Sequence, residues 1–214
     1  MSEHTAGFGA TFEVLSAAEL DRVKSLYAPL TDAVRDLIDA TIWTQADDDA
    51  VADAQAAIEA VTRSLREKTR SAGMSYLIDG HPIPLGNAAI GLCNPIAPPM
   101  VVHREDDGRC WSEFVLRSAY EGPPTLVHGG VSALLLDHIL GEAASEGMTK
   151  PRFTGTLTLK YLRGTPLGPL RAEAFVDRTE GVKTYARGFI SDAQGITVEA
   201  EGIFIQPAWA RDAE

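Results

Sequence analysis

The sequence predicts an α+β protein in which one apolar helix packs against an antiparallel sheet. Residues 130–144 are almost all apolar or small, which is typical of a buried helix. Residues 153–206 then alternate polar and apolar side chains between turn residues, as strands joined by hairpins do. We therefore divide the chain into three segments: a helical N-terminal extension at 1–75, an irregular connection at 76–108 and an α+β domain at 109–214.

The N-terminal extension is predicted to begin with a long helix. Ser16 and Glu19 form the Ser-x-x-Glu pattern of a capping box, which marks the start of a helix. Pro29 lies inside the apolar stripe that follows. Because proline lacks the N–H of a helical hydrogen bond, we expect a kink or a break near Ala28.

A second helix is predicted after the acidic residues 47–49, since negative charge stabilises a helix N-terminus. Basic residues lie near the C-terminal end of this helix, and Gly73 is its expected C-terminal cap. Its apolar stripe consists of Val51, Ala54, Ile58, Val61 and Leu65.

The α+β domain is predicted to contain one strand before its helix, at residues 110–119, and further strands after it. Hairpin turns are expected at 179–181 and 192–195. In the stretch FTGTLTLKYL (153–162), alternation predicts one face with Thr154, Thr156, Thr158 and Lys160, and another with Leu157, Leu159 and Tyr161.

The composition of the chain indicates which partners and which cellular location to expect. The formal net charge of −11 argues against binding to nucleic acid or to an anionic membrane surface. No apolar run is long enough for a transmembrane helix, and the N-terminus lacks the features of a signal peptide, so we expect a cytoplasmic protein. We expect Cys93 and Cys110 to be reduced, with a disulfide between them as the alternative.

A candidate binding feature lies where a loop becomes the apolar helix. Gly129 and Gly130 leave room for other atoms to approach the backbone, and the first N–H groups of a helix are free. Such a turn can bind the oxyanion that develops during acyl transfer. His128 precedes it and is expected to cap the turn or to donate a hydrogen bond. A tight turn with no function is the alternative interpretation.

Asp137 is the second candidate, because a carboxylate on an apolar helix needs a partner or a use. It could act as a general base. Eight residues of helix, roughly 12 Å, separate it from Gly129, so the two groups meet on one substrate only if they come from two chains of a symmetric dimer. A structural pairing with a nearby Arg, such as Arg152 or Arg163, with a Tyr or with a backbone N–H is the alternative.

Two stretches, YEGPPTLVHGGVSALLLDHILG (120–141) and FTGTLTLKYLRGTPLG (153–168), resemble the hotdog-fold acyl-CoA thioesterases of the PaaI-like, thioesterase-superfamily type. The resemblance implies a curved antiparallel sheet wrapped around a central helix. It also implies an acyl-CoA substrate, no cofactor, and a homodimer or dimer of dimers with active sites at the interface.

The resemblance also implies roles for individual residues. Asp137 would be the base or nucleophile, Gly129 or Gly130 the oxyanion donor, and His128 the residue that orients the loop. Thr154 would position water or the acid, with Thr156 as the alternative. For an acyl-CoA substrate, the candidates for binding the phosphates of CoA are Arg163, Lys160 and Arg187, with solvated strand residues as the alternative, and Thr156 is a further candidate for substrate binding. Residues 121–124 lack the Asn or Gln that some relatives carry in this loop.

Other functions fit the sequence less well. An enoyl-CoA hydratase would need an Asp and a His around the motif CNPI (93–96), and both are absent. Ser132 lacks the G-x-S-x-G context of a serine hydrolase, and the histidines show no metal-ligand spacing. The main alternative is a non-catalytic acyl-CoA-binding or regulatory hotdog protein whose helical extension is the functional part.

Overall fold

The computed structural model describes residues 3–5, 11–70, 74–78 and 81–211. These residues form the helices α1 (Ala17–Trp43), α2 (Asp48–Arg66) and α3 (Gly129–Ala144), with short 3-10 helices at Ser118–Tyr120 and Ala208–Ala210. The first strands are β1 (Glu3–Thr5), β2 (Thr11–Val14), β3 (Met74–Ile78), β4 (His81–Ile83) and β5 (His103–Arg104). The remaining strands are β6 (Cys110–Leu116), β7 (Phe153–Tyr161), β8 (Gly168–Glu180), β9 (Lys183–Asp192) and β10 (Gly195–Ile205).

Within the described residues the strands form two sheets. The larger sheet has the order β5-β6-β8-β9-β10-β7 and is antiparallel throughout. Helix α3 packs on its inner face, so the sheet wraps around the helix as the resemblance to the hotdog fold implies. The core between them is fully closed: Leu135, Leu136, Ile139 and Leu140 of the helix are 0% exposed, as are Ala172, Ala174, Ile190 and Val198 of the sheet.

The smaller sheet, β1-β2-β3-β4, was not predicted, since residues 1–75 read as purely helical. Strands β2 and β3 are parallel, and α1 and α2 together form the connection between them. A second small core of Leu15, Leu20, Tyr76 and Leu85 closes the space between this sheet and α1.

Helix α1 begins at the predicted capping box, in which Ser16 and Glu19 bond reciprocally. The expected break near Ala28 is wrong, because the helix continues through Pro29 to Trp43. Contacts just beyond the proline explain this: the Thr31 hydroxyl donates to the carbonyl of Leu92 at 2.9 Å, and Arg35 donates to the carbonyl of Ala97 at 3.1 Å. These tertiary hydrogen bonds stabilise the helical turns that follow Pro29, which has no N–H to donate.

Helix α2 begins at the predicted acidic N-cap, where Asp47 accepts from the N–H of Ala50 at 2.9 Å. It ends at Arg66, and the predicted cap at Gly73 lies outside the described residues. None of its residues is buried.

Both hairpin turns occur, and each contains a glycine with positive φ, Gly181 at 55° and Gly195 at 118°. Cys93 and Cys110 are both free thiols. Among the described residues, no helix combines the length and the apolar character needed to cross a membrane.

Candidate functional site

His128 caps the N-terminus of α3. Its side-chain Nδ1 accepts a hydrogen bond from the N–H of Gly130 at 3.0 Å. The backbone N–H of His128 donates to the carbonyl of Tyr120 at 2.9 Å. This is the capping role that the sequence suggested. Because the N–H of Gly130 already donates to His128, this N–H is not free to bind an oxyanion.

Gly129 therefore holds the candidate oxyanion donor. Its N–H makes none of the hydrogen bonds found in the described part of the chain. Its carbonyl accepts from the hydroxyl of Tyr161 at 2.9 Å, and a Cβ placed on Gly129 would lie 3.3 Å from that hydroxyl. Tyr161 thus holds the peptide that follows Gly129, and Gly129 itself is partly exposed.

Tyr161 is a site residue that the sequence reasoning missed. Alternation correctly placed it on the inner face of β7 with Leu157 and Leu159. The signal that could have found it is the phenol, since a polar group on an apolar face needs a hydrogen-bond partner.

Asp137 lies two turns into α3 and is partly buried. Its Oδ1 accepts a hydrogen bond from the Thr154 hydroxyl at 2.8 Å. The described residues provide no cationic partner for it: Arg152 donates to Thr184 at 3.3 Å, and Arg163 forms a bidentate pair with Asp192. Among the described residues, neither arginine therefore forms an ion pair with Asp137.

A β-bulge brings Thr154 to Asp137. On β10, Ile203 pairs with Thr156 and the next residue, Phe204, pairs with Thr154, so Gly155 is the extra residue of β7. A bulge reverses the alternation of side chains on either side of it. Gly155 is required there, since a Cβ would lie 2.9 Å from Cγ1 of Ile205.

The bulge corrects the predicted faces of β7. Thr154 points inward with Leu157 and Leu159, whereas Thr156, Thr158 and Lys160 stay on the outer face. Thr154 is thus the threonine that contacts the acid. The structure does not bring Thr156 to Asp137 within the chain.

The basic residues suggested for CoA phosphates do not gather at the site within one chain. Lys160 and Arg187 lie on the outer face of the sheet, around a shared cleft of about 440 Å³. Arg163 is held by Asp192 and by the carbonyl of Gly195, to which it donates at 2.8 Å.

The loop before His128 is folded tightly against it. A Cβ on Gly122 would lie 2.7 Å from Cα of His128, so a larger residue does not fit there. Thr125 has a φ of 68°, which is unusual for a β-branched residue, and its N–H donates to Glu121 Oε1 at 2.6 Å. The loop therefore has neither an amide side chain nor space for one at position 122.

Helix α1 contacts the segment that leads into this loop. Asp36 pairs with Arg117, Asp39 accepts from the hydroxyl of Ser118, and Trp43 Nε1 donates to the same hydroxyl oxygen at 2.7 Å. Two residues later the carbonyl of Tyr120 accepts from His128. The N-terminal extension is thus connected to the oxyanion turn through a short run of hydrogen bonds.

The two halves of the site do not face one another in a single chain. Asp137 and Gly129 lie on the same helix, eight residues and roughly 12 Å apart along its axis. A side chain as short as aspartate cannot cover that distance.

Comparison with known proteins supports this fold. The family model of the thioesterase superfamily matches residues 125–199. A crystal structure of protein RHA08564, a thioesterase superfamily protein, is 34% identical with a TM-score of 0.75, and the match covers 84% of this chain and 94% of that one. The chain belongs to the thioesterase superfamily. Because the match covers so much of the chain, it extends beyond residues 109–214 into the N-terminal part.

More distant structures match half of the chain. A putative thioesterase from Ralstonia eutropha JMP134, described as phenylacetic acid degradation-related, is 22% identical with a TM-score of 0.47, covering 50% of this chain and 84% of that one. Zebra fish thioesterase superfamily member 2 is 15% identical with a TM-score of 0.47, covering 50% of this chain and 81% of that one. A comparison with curated proteins gives no match.

Proposed function

We propose that this protein hydrolyses an acyl-CoA thioester to a free carboxylic acid and CoA, as a homodimer with its active sites between the subunits. The observation that carries the proposal is the 2.8 Å hydrogen bond from Thr154 to Asp137, produced by a bulge in an otherwise regular strand. A bulge that turns a hydroxyl toward an acid on an apolar helix is typical of a functional site.

The geometry supports a role for Asp137 at the thioester carbonyl. Thr154 donates to Oδ1, and Oδ2 accepts no hydrogen bond from the described residues, so it is available to a substrate or to water. As a general base, Asp137 would take a proton from water as the water attacks the carbonyl carbon. As a nucleophile, it would attack that carbon and form an anhydride that water then cleaves. The thiolate of CoA is the leaving group in both routes.

The developing oxyanion would bind at the N-terminus of the other subunit's α3. The free N–H of Gly129 and the positive end of the helix dipole both favour negative charge there. His128 and Tyr161 hold the next peptide, between Gly129 and Gly130, through the Gly130 N–H and the Gly129 carbonyl. The reaction requires neither a metal nor a redox cofactor.

Strand β7 offers a way for two chains to meet. It is the last strand of the six-stranded sheet, and most of its side chains are exposed. An open edge can pair with the same edge of a second copy across a two-fold axis. Such pairing would place the two α3 helices side by side, with Asp137 of one near the glycine turn of the other.

The two free cysteines support a cytoplasmic location.

The test is release of CoA thiol from a panel of short, medium, long and aromatic acyl-CoAs, with Asp137→Asn beside the wild type. Asparagine has nearly the shape of aspartate and still accepts from Thr154, so the fold is kept while the base is lost. We expect turnover that disappears in the variant. Binding of acyl-CoA by the wild type without turnover of any thioester would refute the enzyme and favour the non-catalytic binding protein.

A further inference from the structure

Helix α2 has an exposed face that carries no charge. Its apolar side chains are strongly exposed: Val51 at 49%, Ile58 at 41%, Val61 at 56% and Leu65 at 55%. The side chains beside them are small or neutral, namely Ala50, Ala54, Gln55, Ala57, Thr62 and Ser64. The charged residues flank this face at the two ends of the helix or lie on its other side. In proteins most of the stability of a helix comes from packing of its apolar face, so an exposed apolar face of this kind indicates a partner.

The spacing of this face indicates another helix as the partner. Val51, Ala54, Ile58, Val61 and Leu65 follow one another at intervals of three, four, three and four residues. This is the a/d repeat by which two helices pack side by side. Ile58 is the middle residue of this run, with Val51 seven residues before it and Leu65 seven residues after it.

The charges along α2 favour pairing with a copy of itself in the antiparallel direction. The N-terminal end is acidic, with Asp47, Asp48, Asp49 and Asp53, whereas the C-terminal end is basic on balance, with Arg63, Arg66 and Lys68 around one acid, Glu67. An antiparallel pair places each acidic end beside the basic end of the other helix and opposes the two dipoles. A parallel pair would place like charges together, in chains that already repel one another with a net charge of −11.

We propose that α2 pairs with α2 of a second copy of this chain, antiparallel, about a two-fold axis that passes near Ile58. Val51 of one copy then contacts Leu65 of the other, and the uncharged faces are buried against each other. This interface is separate from the open edge of β7, so it does not depend on the proposed activity. It gives the N-terminal extension a function in assembly.

Disulfide cross-linking tests both the partner and the direction. Single cysteines are introduced at Val51, Ile58 or Leu65 of the full chain, in a Cys93→Ser background, because Cys110 is only 1% exposed. Val51→Cys/Leu65→Cys combines two of them. The matched control is Ala56→Cys, an exposed position on the opposite side of the helix. Each protein is oxidised with copper phenanthroline and run on a non-reducing gel.

The antiparallel pair predicts one pattern of cross-linked dimer. Ile58→Cys and the double variant give it, whereas Val51→Cys alone, Leu65→Cys alone and Ala56→Cys do not. In the double variant the bond must join two chains, since positions 51 and 65 lie roughly 21 Å apart on one helix. Efficient cross-linking by both single end variants would show a parallel pair and overturn the proposal. Absence of cross-linking at position 58, or equal cross-linking at 56, would overturn it as well.

Discussion

Thr154 donates a hydrogen bond to Asp137 only because Gly155 adds one residue to β7 between it and the regular part of the strand. In an unbulged strand, Thr154 would share the outer face with Thr156. The position of a single glycine therefore decides which threonine meets the acid.

The hydroxyl of Thr154 is expected to matter for turnover. Thr154→Val keeps the shape of the side chain and removes the donor to Asp137. A hydrogen bond to a charged group contributes roughly 1.5–3 kcal/mol, so kcat for acyl-CoA hydrolysis should fall about 10- to 100-fold. Steady-state kinetics on one acyl-CoA measures this.

The matched controls for that variant are Thr154→Ser, which retains the hydroxyl, and Thr156→Val, which makes the same change on the outer face. Both should keep kcat near the wild-type value. An equal loss in Thr156→Val would mean that the change acts through the strand and not through Asp137.

The bulge also shows how far the sequence could predict the site. The His-Gly-Gly turn, the acid on α3 and the alternation of Leu157, Leu159 and Tyr161 could all be read from local spacing. The bulge could not, because period-two alternation assumes a regular ladder and Gly155 resembles any other strand glycine until the register with β10 is known. The hydrogen bond of Tyr161 to Gly129 joins residues 32 positions apart and depends on the tertiary fold.

The N-terminal extension also shows that the sequence predicts local features but not those that depend on the tertiary fold. The capping box and the acidic start of α2 are local signals, and both were predicted correctly. Strands as short as β1 and β4 have too few residues for a periodic pattern. The continuation of α1 beyond Pro29 is supported by a bond from Thr31 to a loop 61 residues away.

The contact between α1 and the segment before the loop is expected to support catalysis. Trp43→Phe keeps an aromatic ring but removes the N–H that donates to Ser118. A neutral hydrogen bond contributes about 0.5–1.5 kcal/mol, so kcat should fall about 2- to 10-fold with little change in KM, because the oxyanion turn is less well positioned. Asp53→Asn, at an exposed site on α2, is the control and should have no effect. A rise in KM alone would point to substrate binding at α1.

The pair of Arg163 and Asp192 should make stability depend on pH in the acid range. The hydrogen bonds from Arg163 lower the pKa of the Asp192 carboxyl from 3.8 to about 2. Between these values the unfolded chain binds more protons, so stability falls as the pH falls. The contribution of the pair is complete above about pH 4 and is lost as the pH approaches 2.

This pH dependence can be measured by urea unfolding at several pH values. Asp192→Asn should be less stable than the wild type at pH 5, and the difference should shrink toward pH 2. Asp106→Asn, an exposed aspartate outside any pair in the described residues, should follow the wild type. A constant difference between wild type and Asp192→Asn at all pH values would contradict the assignment.

A proline at position 129 would remove the N–H of Gly129 while keeping the helix N-terminus around it. Proline is well tolerated at the first position of a helix, and His128 before it has φ −60° and ψ 132°, which proline accepts. Gly129→Pro should lower kcat about 100- to 1000-fold, as loss of an oxyanion donor does. Gly129→Ala adds the same Cβ near Tyr161 but keeps the N–H, so it should retain most of the activity.

The same variant tests whether each site is shared between two chains. Gly129→Pro and Asp137→Asn are each expected to be nearly inactive alone. When both are co-expressed, every mixed dimer has one site with a native Asp137 from one chain and a native Gly129 from the other. Random assortment should therefore restore about a quarter of the wild-type activity. If both residues acted within one chain, every site would contain one substitution and no activity would return. Thiol release by the co-purified mixture, with each chain carrying a different affinity tag, distinguishes the two cases.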